Sequence, residues 1–190
     1  MKRIALVIST QYGQTAKIAD RIKEILREAG HEPSVFLVSS KGDLGSVPID
    51  RFDAAILGAP VYAGSFPKLL IEWAKLHGKT LGQIPTAFYS VSLNAADKRP
   101  EARKEDIRLL TQFLNQTGLK TRYTASLIGA IKYRQYGFLK RWLLKRICRA
   151  AGGPTDTSRD HELTDWTAVA AFAEEFSNSL AEARPKAFVR

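Results

Sequence analysis

Cysteine is nearly absent from this chain: Cys148 is the single one among 190 residues. One thiol excludes an internal disulfide and a cysteine-built metal cluster. Histidine is scarce too. His31, His77 and His161 are too scattered for ligand spacing, so each reads as a surface residue and no metal site is expected. No serine–histidine–acid set and no pair of carboxylates is visible, which leaves no side chain assigned to acid–base or nucleophilic catalysis. No apolar run approaches the length of a membrane span. The opening Met1-Lys2-Arg3 precedes only a short apolar run, residues 4–8, with no small-residue cleavage site after it, so a cytoplasmic protein is expected. Repeats and a disorder-like composition are missing as well. With 45% hydrophobic residues, the chain has enough apolar content for the core of one domain spanning residues 1–190.

Acid is absent from one long segment. Residues 132–149 hold seven basic residues, Lys132, Arg134, Lys140, Arg141, Lys145, Arg146 and Arg149, and no aspartate or glutamate. The formal net charge is +10; without these seven, the 29 basic residues fall to 22 against 19 acidic ones. An otherwise ordinary domain carries one concentrated positive segment, which asks for a negatively charged partner.

What is present is alternation. Apolar runs of strand length at residues 4–8, 34–38, 54–58, 86–91 and 125–131 are separated by helical patterns. The first helix, 15–29, places Ile18, Ala19, Ile22, Ile25, Leu26 and Ala29 on one face and ends at Gly30. A second opens at Pro67, with Leu69, Leu70, Trp73 and Leu76 as its inner stripe. A third, 101–117, turns Ile107, Leu110, Phe113 and Leu114 inward. The last runs from 165 to about 183 behind a Thr164 cap, with Trp166, Val169, Ala170, Ala173 and Phe176 inward. Five strands alternating with helices predict an α/β fold, a doubly wound five-stranded parallel sheet. One piece breaks the alternation: an insertion at about 132–163, within which residues 137–151 read as an extra basic helix stopped by Gly152, Gly153 and Pro154.

Ligands of such sheets sit beyond the carboxyl ends of the strands, so three loops are the candidate site. The first is Ser9-Thr10-Gln11-Tyr12-Gly13-Gln14-Thr15, whose amides and hydroxyls ahead of a helix suit a phosphate without a lysine. It lacks the three spaced glycines of a dinucleotide fingerprint and the Gly-Lys-Ser/Thr of a Walker loop, so a mononucleotide is favoured. The second is Pro60-Val61-Tyr62-Ala63-Gly64, and the third is Ser90-Val91-Ser92-Leu93-Asn94. A tyrosine on such a loop can cover a flat aromatic ring while backbone amides read its polar edge. Taken singly, each loop is also an ordinary polar turn or helix cap.

The first loop resembles the phosphate loop of flavodoxins, which implies FMN as cofactor and the strand order 2-1-3-4-5. Further pieces are similar to one branch, the menaquinone-dependent protoporphyrinogen dehydrogenases of bacterial haem synthesis. They are Ala87-Phe88-Tyr89-Ser90-Val91, Gly129-Ala130 with Tyr133 and Tyr136, Gly152-Gly153, Thr155-Asp156-Thr157 and Thr164-Asp165-Trp166. By that resemblance Thr10, Gln11, Gly13, Gln14 and Thr15 cradle the FMN phosphate. Tyr12 and Tyr62 lie near the isoalloxazine, and residues 90–94 near its other edge. The implied reaction is oxidation of protoporphyrinogen IX to protoporphyrin IX with menaquinone as acceptor, the chemistry belonging to the flavin. Lys132 and Arg134 are expected to meet the substrate's propionates. The loop 60–66 departs from that branch and is similar to general flavodoxins and quinone reductases.

In the basic helix, Phe138, Leu139, Trp142, Leu143, Ile147 and Ala150 share one side by spacing, with Lys140, Arg141, Lys145 and Arg149 largely opposite. That pattern, with Arg146, predicts a helix lying on an anionic membrane surface, peripheral to the inner face of the cell membrane. A core-packed helix with a solvated basic face gives the same pattern. Three other functions stay open: a flavodoxin-like electron carrier, although such carriers are usually acidic; a quinone reductase, although no second nucleotide motif is seen; and a non-enzymatic basic binding module. The last fits poorly with a nucleic-acid partner, because the segment carries no nucleic-acid motif.

Overall fold

Parallel strands need crossovers, and this chain supplies them as helices. The computed structural model describes residues 1–97, 99–150 and 153–182. It runs β1 (Arg3–Ile8), α1 (Gln14–Glu28), β2 (Glu32–Leu37), β3 (Ala54–Pro60), α2 (Lys68–Leu76) and a short α3 (Gly78–Leu81). Then come β4 (Thr86–Ser92), α4 (Pro100–Thr117), β5 (Tyr123–Ile128), β6 (Ala130–Ile131), α5 (Phe138–Ala150), β7 (His161–Glu162) and α6 (Trp166–Glu182). The first five strands form one parallel sheet in the order β2-β1-β3-β4-β5.

Side chains alternate across this sheet, so each inner strand feeds two cores. Ile4, Leu6 and Ile8 of β1 pack with α1 and α6, through Ile18, Ile22, Val169 and Phe176. Ala5 and Val7 face α2 and α4, with Leu70, Trp73, Leu109 and Phe113. In that second core Phe88 stacks on Phe113 at 3.9 Å, and Phe66 meets both rings edge-on.

Several expected inner positions are corrected. On α2 the buried residues are Leu70, Trp73 and Ala74, Leu69 is half-buried, and Leu76 is exposed. On α4 the inward line is Asp106, Leu109, Phe113 and Thr117, whereas Ile107 points to solvent. A helix advances about 100° per residue, so Ile107 falls off the line that starts at Asp106. Ala29 is exposed, because α1 has already ended at Glu28. The expected fifth strand breaks at Gly129, and Ala130 and Ile131 instead pair antiparallel with His161 and Glu162. The cap of α6 is Asp165, whose carboxylate accepts the Thr167 and Ala168 amides at 3.0 and 3.1 Å. Thr164 instead accepts a hydrogen bond from Gln14.

The insertion has its own small core. Ile131, Tyr133, Tyr136 and Cys148 are buried together, with Tyr12, Leu93, Leu144 and Leu163 packed against them. Ala151, Gly152 and Ala183, and the side chains of Lys140, Ile147 and Ala150, lie outside the described residues.

One close approach ties β3 and β4 to α1. A Cβ at Gly58 would fall 2.2 Å from Cζ of Tyr89, which lies opposite it in the register. The fully buried Tyr89 hydroxyl donates to the Thr15 carbonyl at 3.2 Å, and burial raises its pKa. Gly58→Ala is expected to destabilise the fold by about 1–3 kcal/mol through overpacking. Tyr89→Phe is expected to lose about 1 kcal/mol by removing this one buried hydrogen bond. Urea midpoints check both, and an unchanged midpoint for Gly58→Ala contradicts the close contact.

Candidate functional site

The β1 ladder runs one residue past the strand, where the Ser9 amide donates to the Gly58 carbonyl at 3.0 Å. The chain then turns sharply into α1. Gly13 takes φ 81, a left-handed conformation that favours glycine, and its amide donates to Thr10 Oγ1 at 3.0 Å. Helix α1 has no side-chain cap and no acid in its first turn. Its positive end is left to an outside acceptor.

The loop after β3 folds back as a tight turn in which Tyr62 and Ser65 exchange backbone hydrogen bonds at 2.9 and 3.0 Å. The turn after β4 rests on Ser92. Its hydroxyl donates to Asp106 Oδ1 at 3.2 Å and accepts the Ala95 amide at 3.1 Å. Burial pushes the Asp106 carboxyl above its ordinary pKa, against the pull of hydrogen bonds from Ser126 and Ser92.

These turns meet. A cavity of about 380 Å³ is walled by Tyr12, Gln14 and Thr15, by Pro60, Val61, Tyr62, Ala63 and Gly64, and by Val91, Ser92, Leu93 and Asn94. An adjoining cleft of about 270 Å³ takes Ser9, Thr10 and Gln11, and shares Pro60 and Tyr62 with the cavity. Gly13 lines neither and serves the turn. Ser90 lines neither as well, since its hydroxyl faces β5 at 3.1 Å from Ser126 Oγ. Four further walls come from Gly129, Ala130, Tyr136 and Leu144. The first three stand in motifs visible in the sequence, but only the folding of the insertion over the sheet edge gives them a place in the cavity. Leu144 carries no such signal.

Three tyrosines gather at the mouth. Tyr12 meets Tyr62 edge-on at 5.6 Å and Tyr136 at 5.0 Å. Burial, and the neighbouring Tyr136 and Tyr12, push the Tyr62 phenol up to about 12. Hydrogen bonds from the Gln11 and Tyr12 amides pull the other way. The buried Gln14 side chain faces the insertion: its Nε2 donates to Thr164 Oγ1 at 2.8 Å, while its Oε1 is buried without a partner. Beside it Lys17 pairs with Glu162 at 2.5 Å and holds that carboxyl below its usual range.

The basic residues lie outside the cavity. Lys132 is half-buried and Arg134 exposed, and neither is among the lining residues. Arg141, expected on the outer basic face, turns inward: its Nη2 donates to the Tyr136 carbonyl at 3.1 Å and its Nε is buried without a partner. Phe138, Trp142, Leu143 and Arg146 are exposed, and Lys145 is half-buried. Helical spacing alone left the inward side of α5 open; Leu144 and Cys148 occupy it.

A doubly wound parallel sheet with its cavity where the winding reverses defines the class of open α/β ligand-binding proteins. The chain belongs to the flavodoxin-domain family, whose pattern matches residues 5–158. It is 31% identical over 174 residues to protoporphyrinogen IX dehydrogenase [quinone] of Escherichia coli (strain K12), covering 91% of this chain and 93% of that one. The protein of the same name from Leishmania major is 32% identical, covering 90% of this chain and 73% of its own length. Among solved structures, oxidised flavodoxin 1 from Bacillus cereus superposes with a TM-score of 0.50 at 16% identity, over 93% of this chain and 97% of that one. A flavodoxin WrbA-like protein from Agrobacterium tumefaciens gives 0.53 at 12% identity, over 97% and 100%. These two likenesses concern the fold.

Two expected outcomes follow from the turns. Nothing lies within 4 Å of a Cβ added at Gly13, so Gly13→Ala costs only the strain of a left-handed φ, about 1–2 kcal/mol. Gly13→Asn loses less, because asparagine tolerates this conformation; equal urea midpoints for both variants contradict it. For Asp106, a raised native pKa means that the folded state binds the proton more tightly than the unfolded chain. Its contribution is therefore greatest at acid pH and declines as pH rises from the ordinary carboxylate range to the raised value. Asp106→Asn removes that decline, and an unaltered stability-against-pH profile contradicts it.

Proposed function

We propose that this chain is an FMN-dependent oxidoreductase that oxidises protoporphyrinogen IX to protoporphyrin IX, with menaquinone as acceptor, at the inner face of the cell membrane. The observation that carries the reading is the meeting of three carboxyl-edge loops and the insertion on one cavity. It does so in a chain 31% identical, over 91% of its length, to a named dehydrogenase of that substrate.

The donor set fits the cofactor. The Gln11 and Tyr12 amides already aim at an oxygen, that of Tyr62, and α1 presents uncapped amides. In this reading Ser9, Thr10, Gln11, Gln14 and Thr15 hold the phosphate, and Gly13 sets the turn that presents them. Tyr12 and Tyr62 flank the ring, with residues 60–64 along one side and 91–94 along its polar edge. Bound there, FMN supplies hydride and electron transfer.

The chain's own residues bind and orient. Tyr62 stays protonated at physiological pH, because its pKa lies near 12, so it offers a neutral hydroxyl. Val61, Val91, Leu93 and Leu144 give the cavity apolar walls. Lys132 and Arg134 draw the propionates towards its rim. Oxidation of one porphyrinogen releases six electrons and six protons, and each quinone takes two of each, so three quinones are reduced. A second reading, a flavodoxin-like quinone reductase or electron carrier with another substrate, is favoured by the uncharged loop 60–66.

Titrating apo-protein with FMN and FAD tests the cofactor: flavin fluorescence should quench with FMN, and preference for FAD opposes the reading. Tyr62→Ala should weaken FMN up to about tenfold, the loss of one aromatic contact. Anaerobic mixing of porphyrinogen, FMN-loaded protein and a menaquinone analogue should produce porphyrin fluorescence. A rate no faster than free FMN leaves the second reading in its place.

A further inference from the structure

Helix α5 has two apolar sides with different neighbours. Inward, Leu144 and Cys148 pack with Tyr133 and Tyr136, and Leu144 and Tyr136 wall the cavity. Outward, Phe138 is 86% exposed, Leu139 75%, Trp142 49% and Leu143 51%. The other exposed large hydrophobics among the described residues, Met1, Leu37, Leu76 and Ile107, are scattered singly and need no partner. A contiguous exposed cluster marks an interaction surface.

Charge selects the partner. The Arg146 guanidinium lies 5.2 Å over the Trp142 ring, on the outward side, and Arg149 is exposed. No acidic residue occurs between Lys132 and Asp156. An apolar face with cations and no anions matches a surface that is anionic outside and apolar beneath. Thirteen residues make a helix about 20 Å long, too short to cross a bilayer but able to lie in its interface.

We propose that α5 docks into anionic lipid by this outward face, and that the apolar acceptor, a long-tailed quinone, exchanges between bilayer and cavity along the same helix. The exchange route rests on the quinone-reducing reading above; the docking does not. At the site the quinone takes two electrons and two protons to become quinol, both originating in the porphyrinogen, and the quinol returns to lipid.

The FMN-loaded full chain is mixed with vesicles of phosphatidylcholine alone or with phosphatidylglycerol added. It should float with the anionic vesicles at low salt. It should leave them when ionic strength rises from about 0.1 to 1 M and the screening length falls from about 10 to 3 Å. Brominated lipid should quench tryptophan fluorescence, and Trp142→Phe should abolish that quenching. Phe138→Glu with Leu139→Glu, or the milder Phe138→Ser, should abolish or weaken flotation. They should also slow reduction of vesicle-embedded long-tailed quinone at least tenfold for the double variant, with the flavin spectrum and the rate on a water-soluble short-tailed quinone unchanged. Recovery in the aqueous phase with both vesicles, or equal recovery on both, overturns the docking. So does a wild-type dimer that the double variant converts to monomer, since a second copy then covers the face. A double variant that no longer floats yet reduces embedded quinone normally overturns the exchange route. Failure on both quinones overturns the quinone reading and that route with it, while flotation still decides the docking.

Discussion

The pairing of β1 on both edges is the constraint on which the site depends. Its residues Ile4 to Ile8 bond to β2 on one side and to β3 on the other, all in parallel. The chain leaves β1 outward to β2 and returns across it to β3, so the crossovers lie on opposite faces. The turns after β1 and β3 must diverge, and a crevice opens between them. The Ser9–Gly58 hydrogen bond continues the ladder to the base of that crevice. Behind it, Tyr89 can reach the Thr15 carbonyl only because position 58 carries no side chain.

Element type and the three carboxyl-edge loops were legible in the sequence, because buried parallel strands are nearly continuous apolar runs, whereas strand order came from the likeness of the first loop to flavodoxins. Side-chain direction inside those loops was not. Ser90 is adjacent to lining residues, yet strand alternation turns its hydroxyl to Ser126. Thr164 reads as the cap of α6 in the sequence, and Asp165, also a favoured cap type, takes that place instead. Tertiary contact decides between them, since Gln14 engages Thr164 and leaves Asp165 to the helix. The inner lines of α2 and α4 slipped because several apolar residues lay near each line and only packing selects among them. On α5 the sequence exposed the apolar and basic residues but not the inward pair, whose second member is the lone cysteine.

The insertion completes what the family's fold begins. Turns after β1, β3 and β4 leave an open crevice; Tyr136 and Leu144 add a wall from the far side. Two polar contacts hold that wall to the first turn of α1, Gln14 to Thr164 and Lys17 to Glu162. The exposed ion pair adds little by itself. The buried amide matters more, because breaking it strands a desolvated donor. Loop and insertion are thus positioned by one another at the cavity they wall.

Charge divides the labour. Among the described lining residues of the cavity and the cleft there is no lysine, arginine, aspartate or glutamate. An anion entering there is met by amide dipoles and hydroxyls, which need no counter-ion to be buried with them. Lys132, Arg134, Arg141, Lys145, Arg146 and Arg149 of the insertion are not among those lining residues. From outside they raise the local concentration of anionic partners without desolvating a cation inside the site. A cation buried in the walls would instead carry a desolvation penalty whenever the cavity held a neutral ring. Uncharged walls let one cavity hold an anionic group by amides and a neutral ring by apolar contact, with no buried cation to desolvate.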